Sequence, residues 1–329
     1  MEQYETLTEE QEIQPVQVLN NTKSSKRSSF IEANTIVGNL EEIKHKHIIP
    51  TYSNSDPLIS HGDFIEAVET QVKKGFSSEE ISAPEIRVSH AVSGRTPDAK
   101  DKRSDQLEEW EKTLYYEKMA FVIEIPSIQS NIDGNTLSLT VGGVRSFGDE
   151  NLSCRNETDQ HFRVFIGFKN TVCCNMCVWS DGYINDLKVK TLGQLKGAVN
   201  ALLESYNKNF QLLELEKLAE HSITEQQFAQ IVGKCRMYQH LPTSTKREIP
   251  PLLFGDQQMN QVVKDFYKDR SFCRDNNGNI NLWKLYNLLT GANRNSYIDR
   301  FLDRSVNAYN FTEQIRWALE GKGESWYLN

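Results

Sequence analysis

The stretch His161-Phe-Arg-Val-Phe-Ile-Gly-Phe-Lys169 decides the fold. Its apolar residues alternate with other residues, and the same parity continues as far as Val178. Alternation over this length, with many aromatic and β-branched residues, is typical of strands that bury one face. The chain is expected to bend at Lys169-Asn170, and Asp181-Gly182 is a turn signal that ends the stretch. We therefore predict that it forms the central strand pair of a sheet.

Up to the end of this stretch the hydrophobic residues recur with a period of two, and after it they recur with a period of about 3.6. Strands are predicted before it, at 84–90, 114–126 and 136–147, with a hairpin at Asp133-Gly134. Strands followed by helices favour an α+β fold, with a mainly antiparallel sheet in the first half and a helical C-terminal half packed on it. The predicted helices are 63–72, 104–112, 192–206, one from Thr224, 260–268, 282–290, 296–306 and 312–320, and a turn is predicted at 93–97.

The composition and the hydrophobic period together divide the chain into three predicted regions. Residues 1–57 are predicted to be a mobile polar tail, in which Phe30 to Leu40 is apolar enough for a short docking element. Residues 58–190 form the predicted strand-rich core, and residues 191–329 form the predicted helical region.

The overall charge limits the classes of function. The chain has 329 residues, 45 acidic and 37 basic, with a net charge of −8. This balance argues against coating nucleic acid by bulk charge, but it leaves room for a local basic groove. No run of 18 apolar residues and no apolar leader segment is present, so we expect no membrane span, no signal peptide and a cytoplasmic location with reduced thiols.

Several blocks of the sequence resemble one uncharacterised bacterial family of unknown function, which is encoded on genomes and mobile elements. A more distant similarity is to phage- and plasmid-related proteins of unknown function. The resemblance implies a mobile-element context and nucleic-acid metabolism, and it implies no catalytic residues. The blocks are Ile86-Arg-Val-Ser-His90 with Gly94-Arg95, Glu109-Trp-Glu-Lys-Thr-Leu-Tyr-Tyr-Glu117, Ile166-Gly-Phe-Lys-Asn-Thr-Val-Cys-Cys-Asn175, Asn281-Leu-Trp-Lys-Leu-Tyr-Asn-Leu-Leu-Thr-Gly-Ala292 and Tyr297-Ile-Asp-Arg-Phe-Leu-Asp-Arg-Ser305.

One polar cluster has the composition of an anion site. Guanidinium groups, hydroxyls and the backbone amides around a glycine are the groups that hold a phosphate or a carboxylate. The alternative is a surface cluster in which the arginines pair with the nearby Glu85, Asp98 and Asp101. The candidate anion-binding residues are Arg87, Ser89, His90, Ser93 and Arg95.

A basic stripe lies near the C-terminus. From Lys264 to Arg304 there are eight Lys or Arg residues against five Asp residues, so phosphate contacts are expected along this segment. Aromatic side chains are candidate stacking platforms for bases. The alternative is a solvated Asp-Arg face with Trp283 in a helix core. The candidate nucleic-acid-binding residues are Arg294, Arg300 and Arg304, and the candidate platforms are Trp179, Trp283 and Tyr297.

Cys174 and Cys177 form a CxxC pattern, which raises the question of zinc. On a strand, residues three apart point to opposite faces, and the segment has no glycine or proline for a tight turn. We therefore predict buried free thiols and no metal site. No phosphate loop or hydrolase motif is present, so we expect no cofactor, and enzymatic activity stays an open question.

Three functional hypotheses follow. The first is a mobile-element-associated protein that binds nucleic acid or a nucleoprotein partner. The second is an enzyme or binding protein for a small anion at Arg87, His90 and Arg95. The third is a protein–protein adaptor, whose sign is a large exposed apolar patch.

Overall fold

The computed structural model describes residues 29–46, 58–150 and 159–329. Most of the predicted tail, residues 1–28 and 47–57, lies outside them. In the described ranges the strands are β1 (Ile36–Gly38), β2 (Glu85–Val88), β3 (Ala91–Arg95), β4 (Lys112–Tyr116), β5 (Lys118–Ile132), β6 (Asn135–Ser146), β7 (Gln160–Asn170), β8 (Met176–Cys177), β9 (Tyr183–Val189), β10 (Ser222–Ile223) and β11 (Ile280–Asn281). The helices are α1 (Leu40–Lys46), α2 (His61–Gly75), α3 (Leu192–Ser205), α4 (Lys208–Ala219), α5 (Glu225–Tyr238), α6 (Thr243–Lys246), α7 (Asp256–Lys268), α8 (Leu282–Asn293) and α9 (Ile298–Leu319).

A curled antiparallel sheet is the centre of the fold. Seven of the described strands form it in the order β1-β2-β5-β6-β7, and both β8 and β9 pair with β7. Every pairing in this sheet is antiparallel. Strands β3 and β4 form a separate two-stranded sheet, and so do β10 and β11. The predicted α+β class, with a helical C-terminal half, is confirmed.

Strand β7 carries the alternation that identified it. Phe162, Val164, Ile166 and Phe168 lie in the larger hydrophobic core, as the parity predicts. Phe165, on the opposite face, lies in a smaller core with side chains from the start of α9. Helices and the N-terminal segment therefore cover apolar parts of both faces of the sheet, because each face contributes apolar side chains that must leave water.

Local sequence signals explain where several elements begin and turn. Ser60 and Asp63 form a capping box at α2, and Thr224 and Gln227 form the predicted one at α5. Asp133-Gly134 makes the predicted hairpin between β5 and β6, with φ of 48° and 76°. Two positive φ values in a row are what a type I′ turn requires. Within the described ranges, no helix combines the length and the apolar composition needed to cross a membrane.

The predicted docking element lies in the described part of the N-terminal segment. Phe30 and Ile31 are buried in the smaller core, and β1 pairs with β2 at the edge of the sheet. The boundaries of the three predicted regions stay a prediction.

The bend predicted at Lys169-Asn170 is present, but the second strand of the predicted pair is only Met176–Cys177 and does not include residues 172–175. The chain turns at Asn170, because its side-chain oxygen accepts the backbone N–H groups of Val172 and Cys173. The N–H of Cys174 returns to the Asn170 carbonyl at 2.9 Å, and Cys174 has a φ of 59°. An Asx-type turn and one left-handed residue thus replace the glycine or proline that a tight turn usually uses.

Three other local predictions are also wrong. Ser93-Gly94-Arg95 belongs to β3 rather than to a turn, because it pairs with Leu114-Thr113-Lys112 of β4. Two short 3₁₀ turns, 104–106 and 109–111, replace the predicted helix 104–112. The predicted helices 296–306 and 312–320 are one helix, α9, since the sequence between them contains neither glycine nor proline to interrupt it.

Candidate functional site

A polar cavity of about 250 Å³ opens where β6 ends beside β7 and β9. Its wall brings together an imidazole, a guanidinium, a carboxylate, an amide and a hydroxyl. Convergence of such groups in one concave place is the usual first sign of a binding site. The lining residues are Val144, Ser146, His161, Phe162, Arg163, Asn185 and Asp186. We call this cavity the His161 pocket.

An irregularity in the strand pairing builds the pocket. Phe162 pairs with Leu187, but Val164 pairs with Ile184, so Arg163 alone faces two residues of β9. Those two residues are Asn185 and Asp186. A bulge of this kind bends the strand and redirects side chains, which is why bulges often lie beside binding sites.

His161 and Asp186 are joined directly across the bulge. Nδ1 of His161 lies 2.6 Å from Oδ1 of Asp186, and Nζ of Lys188 lies 3.3 Å from the other carboxylate oxygen. Burial alone raises the pKa of Asp186, but the hydrogen bond from His161 and the charge of Lys188 hold that pKa below its usual range. The carboxylate therefore fixes the orientation of the imidazole ring and directs Nε2 away from Asp186.

Arg163 connects the pocket to the start of α9. Its Nη1 donates a hydrogen bond of 3.0 Å to the backbone oxygen of Asp299, in the first turn of that helix. Nζ of Lys118 lies 3.3 Å from the Asp299 carboxylate. Arg300, directly after Asp299, is exposed, and Tyr297, two residues before Asp299, is 68% exposed. The hydrogen bond from Arg163 therefore links the pocket wall to the first turn of α9, which also carries Arg300.

The predicted anion-binding residues in β2 and directly after it already have protein partners. Nε and Nη2 of Arg87 donate to the side chain and the backbone oxygen of Thr35, at 2.9 and 3.1 Å. Burial also lowers the pKa of Arg87. The hydroxyl of Ser89 accepts the backbone N–H of Lys118 at 3.2 Å, and Nε2 of His90 lies 2.8 Å from Oδ1 of Asn34.

The other two residues of that prediction lie on a different sheet. Ser93 and Arg95 belong to β3, where Ser93 is exposed. The guanidinium of Arg95 donates to the backbone oxygen of Lys102 and, at 3.5 Å, to the hydroxyl of Ser104. The two arginines are thus anchored on separate parts of the chain. Anion binding by this cluster stays a prediction.

The three predicted nucleic-acid residues have different environments. Arg294 donates to the backbone oxygen of Cys173 at 2.9 Å and pairs with Glu32. Arg304 is partly buried, and it donates to the backbone oxygen of Leu253 and to the hydroxyl of Ser296. Arg300 is exposed. Two of the three guanidinium groups therefore hold the fold together, while the third projects from the surface.

The candidate stacking residues separate in the same way. Trp283 is fully buried and Trp179 nearly so, and both lie in the larger core. Tyr297 alone of the three presents its ring to solvent. Elsewhere, Trp110 is 70% exposed in the connection between β3 and β4. The predicted apolar contact surface of an adaptor stays a prediction.

The cysteines of the central stretch lie around the Asx turn. Cys174 and Cys177 are buried free thiols, and burial strongly raises the pKa of Cys177. Cys173 is half-buried, and burial raises its pKa to about 11 although Arg294 opposes the shift. Within the described ranges, no three His, Cys, Asp or Glu side chains are grouped as metal ligands.

Sequence reasoning missed the His161 pocket. His161 and Arg163 occupy the strand parity opposite to the predicted buried face, so a signal for them was present in β7. Nothing in the sequence showed that Asn185 and Asp186 meet them, because that depends on the bulge between β7 and β9.

Comparison with known families gives one match. The family described as "Domain of unknown function, B. Theta Gene description (DUF3871)" matches residues 11–328. The chain therefore belongs to this family of unknown function. No curated protein matches it. No solved structure matches it either.

Proposed function

We propose that the protein binds the phosphate backbone of a single-stranded nucleic acid across the His161 pocket and the start of α9. One observation carries the proposal. Arg163, in the pocket wall, donates to the backbone oxygen of Asp299, and this contact links the pocket wall to the start of α9, where Tyr297 and Arg300 are exposed.

Cationic side chains that suit a phosphate lie at this place, beside the carboxylates of Asp186 and Asp299. Arg163 and Arg300 bring fixed positive charge to it, and His161 adds a ring that is positioned by Asp186. Guanidinium groups bind phosphate oxygens through charge-assisted hydrogen bonds, which are stronger than neutral ones. A local cationic surface of this kind is compatible with a net charge of −8, because screening limits the reach of distant acidic groups to about 8–10 Å.

The exposed ring favours a single strand over a duplex. Proteins that bind single strands combine a cationic path for the backbone with aromatic rings on which unpaired bases stack. Tyr297 is the N-cap residue of α9 and Arg300 lies in its first turn, so an exposed ring and an exposed charge are three residues apart at the start of this helix. We also propose a mobile-element context for this binding, as the resemblance to phage- and plasmid-related proteins implies.

The test is fluorescence anisotropy with labelled oligothymidine across a potassium chloride series. We expect binding that weakens with salt, and Arg300→Gln and Arg163→Gln each to reduce the slope of log K against log salt by about 0.7. Tyr297→Ala is expected to weaken binding about tenfold, while Tyr297→Phe retains the ring and the affinity.

The control is Arg247→Gln, since Arg247 is also an exposed arginine but follows α6. Its salt slope should equal that of the native protein. No binding at low salt, or an equal loss for Arg247→Gln and Arg300→Gln, contradicts the proposal. Equal affinity for a labelled duplex contradicts the preference for a single strand.

A further inference from the structure

A second cleft, of about 300 Å³, lies between α7, α8 and the Asx turn after β7. It is separate from the His161 pocket, and the two pockets have no lining residue in common. The side chains that decide its chemistry are Glu32, Cys173, Asn175, Asp265, Asp269 and Arg294. We call it the Asn175 cleft.

The Asn175 cleft has an excess of negative charge. Glu32 forms an ion pair with Arg294, so these two charges offset each other. Asp265 accepts a hydrogen bond of 2.7 Å from Gln261, and Asp269 accepts the backbone N–H groups of Ser271 and Phe272. Those partners are neutral, so two carboxylates remain without a positive partner among the described residues. Burial raises the pKa of the Cys173 thiol to about 11, so this thiol adds no charge at physiological pH.

A buried acceptor in the same cleft lacks a donor. Asn175 is 2% exposed, and its Nδ2 donates to the backbone oxygen of Asn287 at 2.9 Å. Its Oδ1 has no hydrogen-bond partner among the described residues. A buried acceptor without a donor is costly, so such an atom in a cleft points to a ligand that supplies the N–H.

The wall beside this acceptor is left open by a glycine. A Cβ at Gly291 would lie 3.7 Å from both Oδ1 and Nδ2 of Asn175. A longer side chain at 291 would fill the space next to the amide. The absence of a side chain therefore keeps the cleft open on this side.

We propose that the Asn175 cleft binds a guanidinium cation, which donates to the carboxylates of Asp265 and Asp269 and to Oδ1 of Asn175. A guanidinium has five N–H donors and no acceptor, and it matches carboxylates in a planar, two-point manner. The cleft volume is at the lower end of the range for small-ligand pockets. A bound metal is disfavoured, because the described residues contain no group of three or more His, Cys, Asp or Glu arranged to hold one.

The ligand has two sources with the same chemistry, a free alkylguanidine or an arginine side chain of a partner protein. Isothermal titration calorimetry with the native protein separates them, using agmatine for the first and the peptide acetyl-Gly-Arg-Gly-amide for the second. Binding of either probe supports the proposal, and the probe that binds identifies the source. Absence of heat with both probes overturns it.

Variants then test the location. Asp265→Asn is expected to weaken binding about tenfold, because a charge-assisted hydrogen bond becomes a neutral one. Asn175→Ala is expected to weaken binding similarly, and Asp265→Asn keeps the test available if that variant does not fold. The control is Asp256→Asn, on the same helix but half-exposed and paired with Arg236 outside the cleft. Unchanged affinity in Asp265→Asn, or an equal loss in Asp256→Asn, overturns the assignment.

Discussion

Nδ1 of His161 lies 2.6 Å from Oδ1 of Asp186, across the bulge where β7 and β9 lose their regular pairing. The contact orients an imidazole in a polar pocket and lowers the pKa of the carboxyl, against the effect of its partial burial. It is the feature that turns an irregular strand pairing into a candidate binding site.

The lowered pKa of Asp186 predicts a pH-dependent contribution to stability. A carboxyl whose pKa is lower in the folded protein stabilises it above the unfolded-state pKa, and the contribution disappears as pH falls through the folded-state pKa. The reference pKa is 3.8, so the loss is expected below that value. Urea unfolding of the native protein and Asp186→Asn should show a larger difference at pH 7 than at pH 3. A difference that grows towards pH 3 contradicts this prediction.

Gly167 of β7 is expected to tolerate no side chain. A Cβ there would lie 2.4 Å from the backbone oxygen of Cys177, so Gly167→Ala must push β8 away from β7. We expect a loss of about 2 kcal/mol in the free energy of unfolding. Gly197→Ala on the exposed face of α3 is the control. It has nothing within 4 Å, and it is expected to gain about 1 kcal/mol from helix propensity. Equal effects in urea unfolding contradict this account.

Arg145 and Glu150 form a buried ion pair close to the end of β6. Nε of Arg145 lies 2.9 Å from Oε1 of Glu150, and both side chains are almost fully buried. Glu150→Ala leaves a buried guanidinium without its counter-charge, so we expect a loss of about 3–5 kcal/mol in unfolding free energy. Glu109→Ala removes an exposed ion pair with Lys112 and should cost less than about 1 kcal/mol. Denaturant unfolding compares the two, and similar losses are the contradicting outcome.

The arginines of the basic stripe are expected to divide into structural and surface residues. Arg294→Ala removes a hydrogen bond to the Cys173 backbone and an ion pair with Glu32, so it should lower the unfolding free energy by about 1–2 kcal/mol. Arg300→Ala should change it by less than about 0.5 kcal/mol, because Arg300 is exposed. Thermal unfolding of both variants checks this. A stable Arg294→Ala would show that its contacts do not hold the turn.

Much of the sheet could be predicted from the sequence, because alternation is a local signal. The apolar parity of β7 and the Asp133-Gly134 hairpin both lie where the sequence places them. The bend at Asn170 was also expected, but the tight turn through Cys174 was not, because an asparagine side chain and a left-handed cysteine do there what glycine or proline usually does. In general, a turn that depends on side-chain hydrogen bonds is harder to predict from the sequence than a strand that shows hydrophobic alternation.

The candidate site was less predictable than the fold. His161 and Arg163 were visible as the polar parity of a strand, but their partners on β9 depend on a pairing irregularity between distant segments. Arg87 and Arg95 are close in sequence, yet the chain leaves the main sheet between them and anchors each on other groups. Closeness in sequence is therefore a poor guide to convergence here.

The most direct test of the central claim is the salt dependence of oligothymidine binding by the native protein and by Arg163→Gln with Arg300→Gln combined. If the His161 pocket and the start of α9 bind the phosphate backbone, the double variant should bind more weakly at low salt. Its slope of log K against log salt should be smaller in magnitude by about 1.4, since two phosphate contacts are lost. An unchanged slope, or no binding by the native protein at low salt, would contradict it.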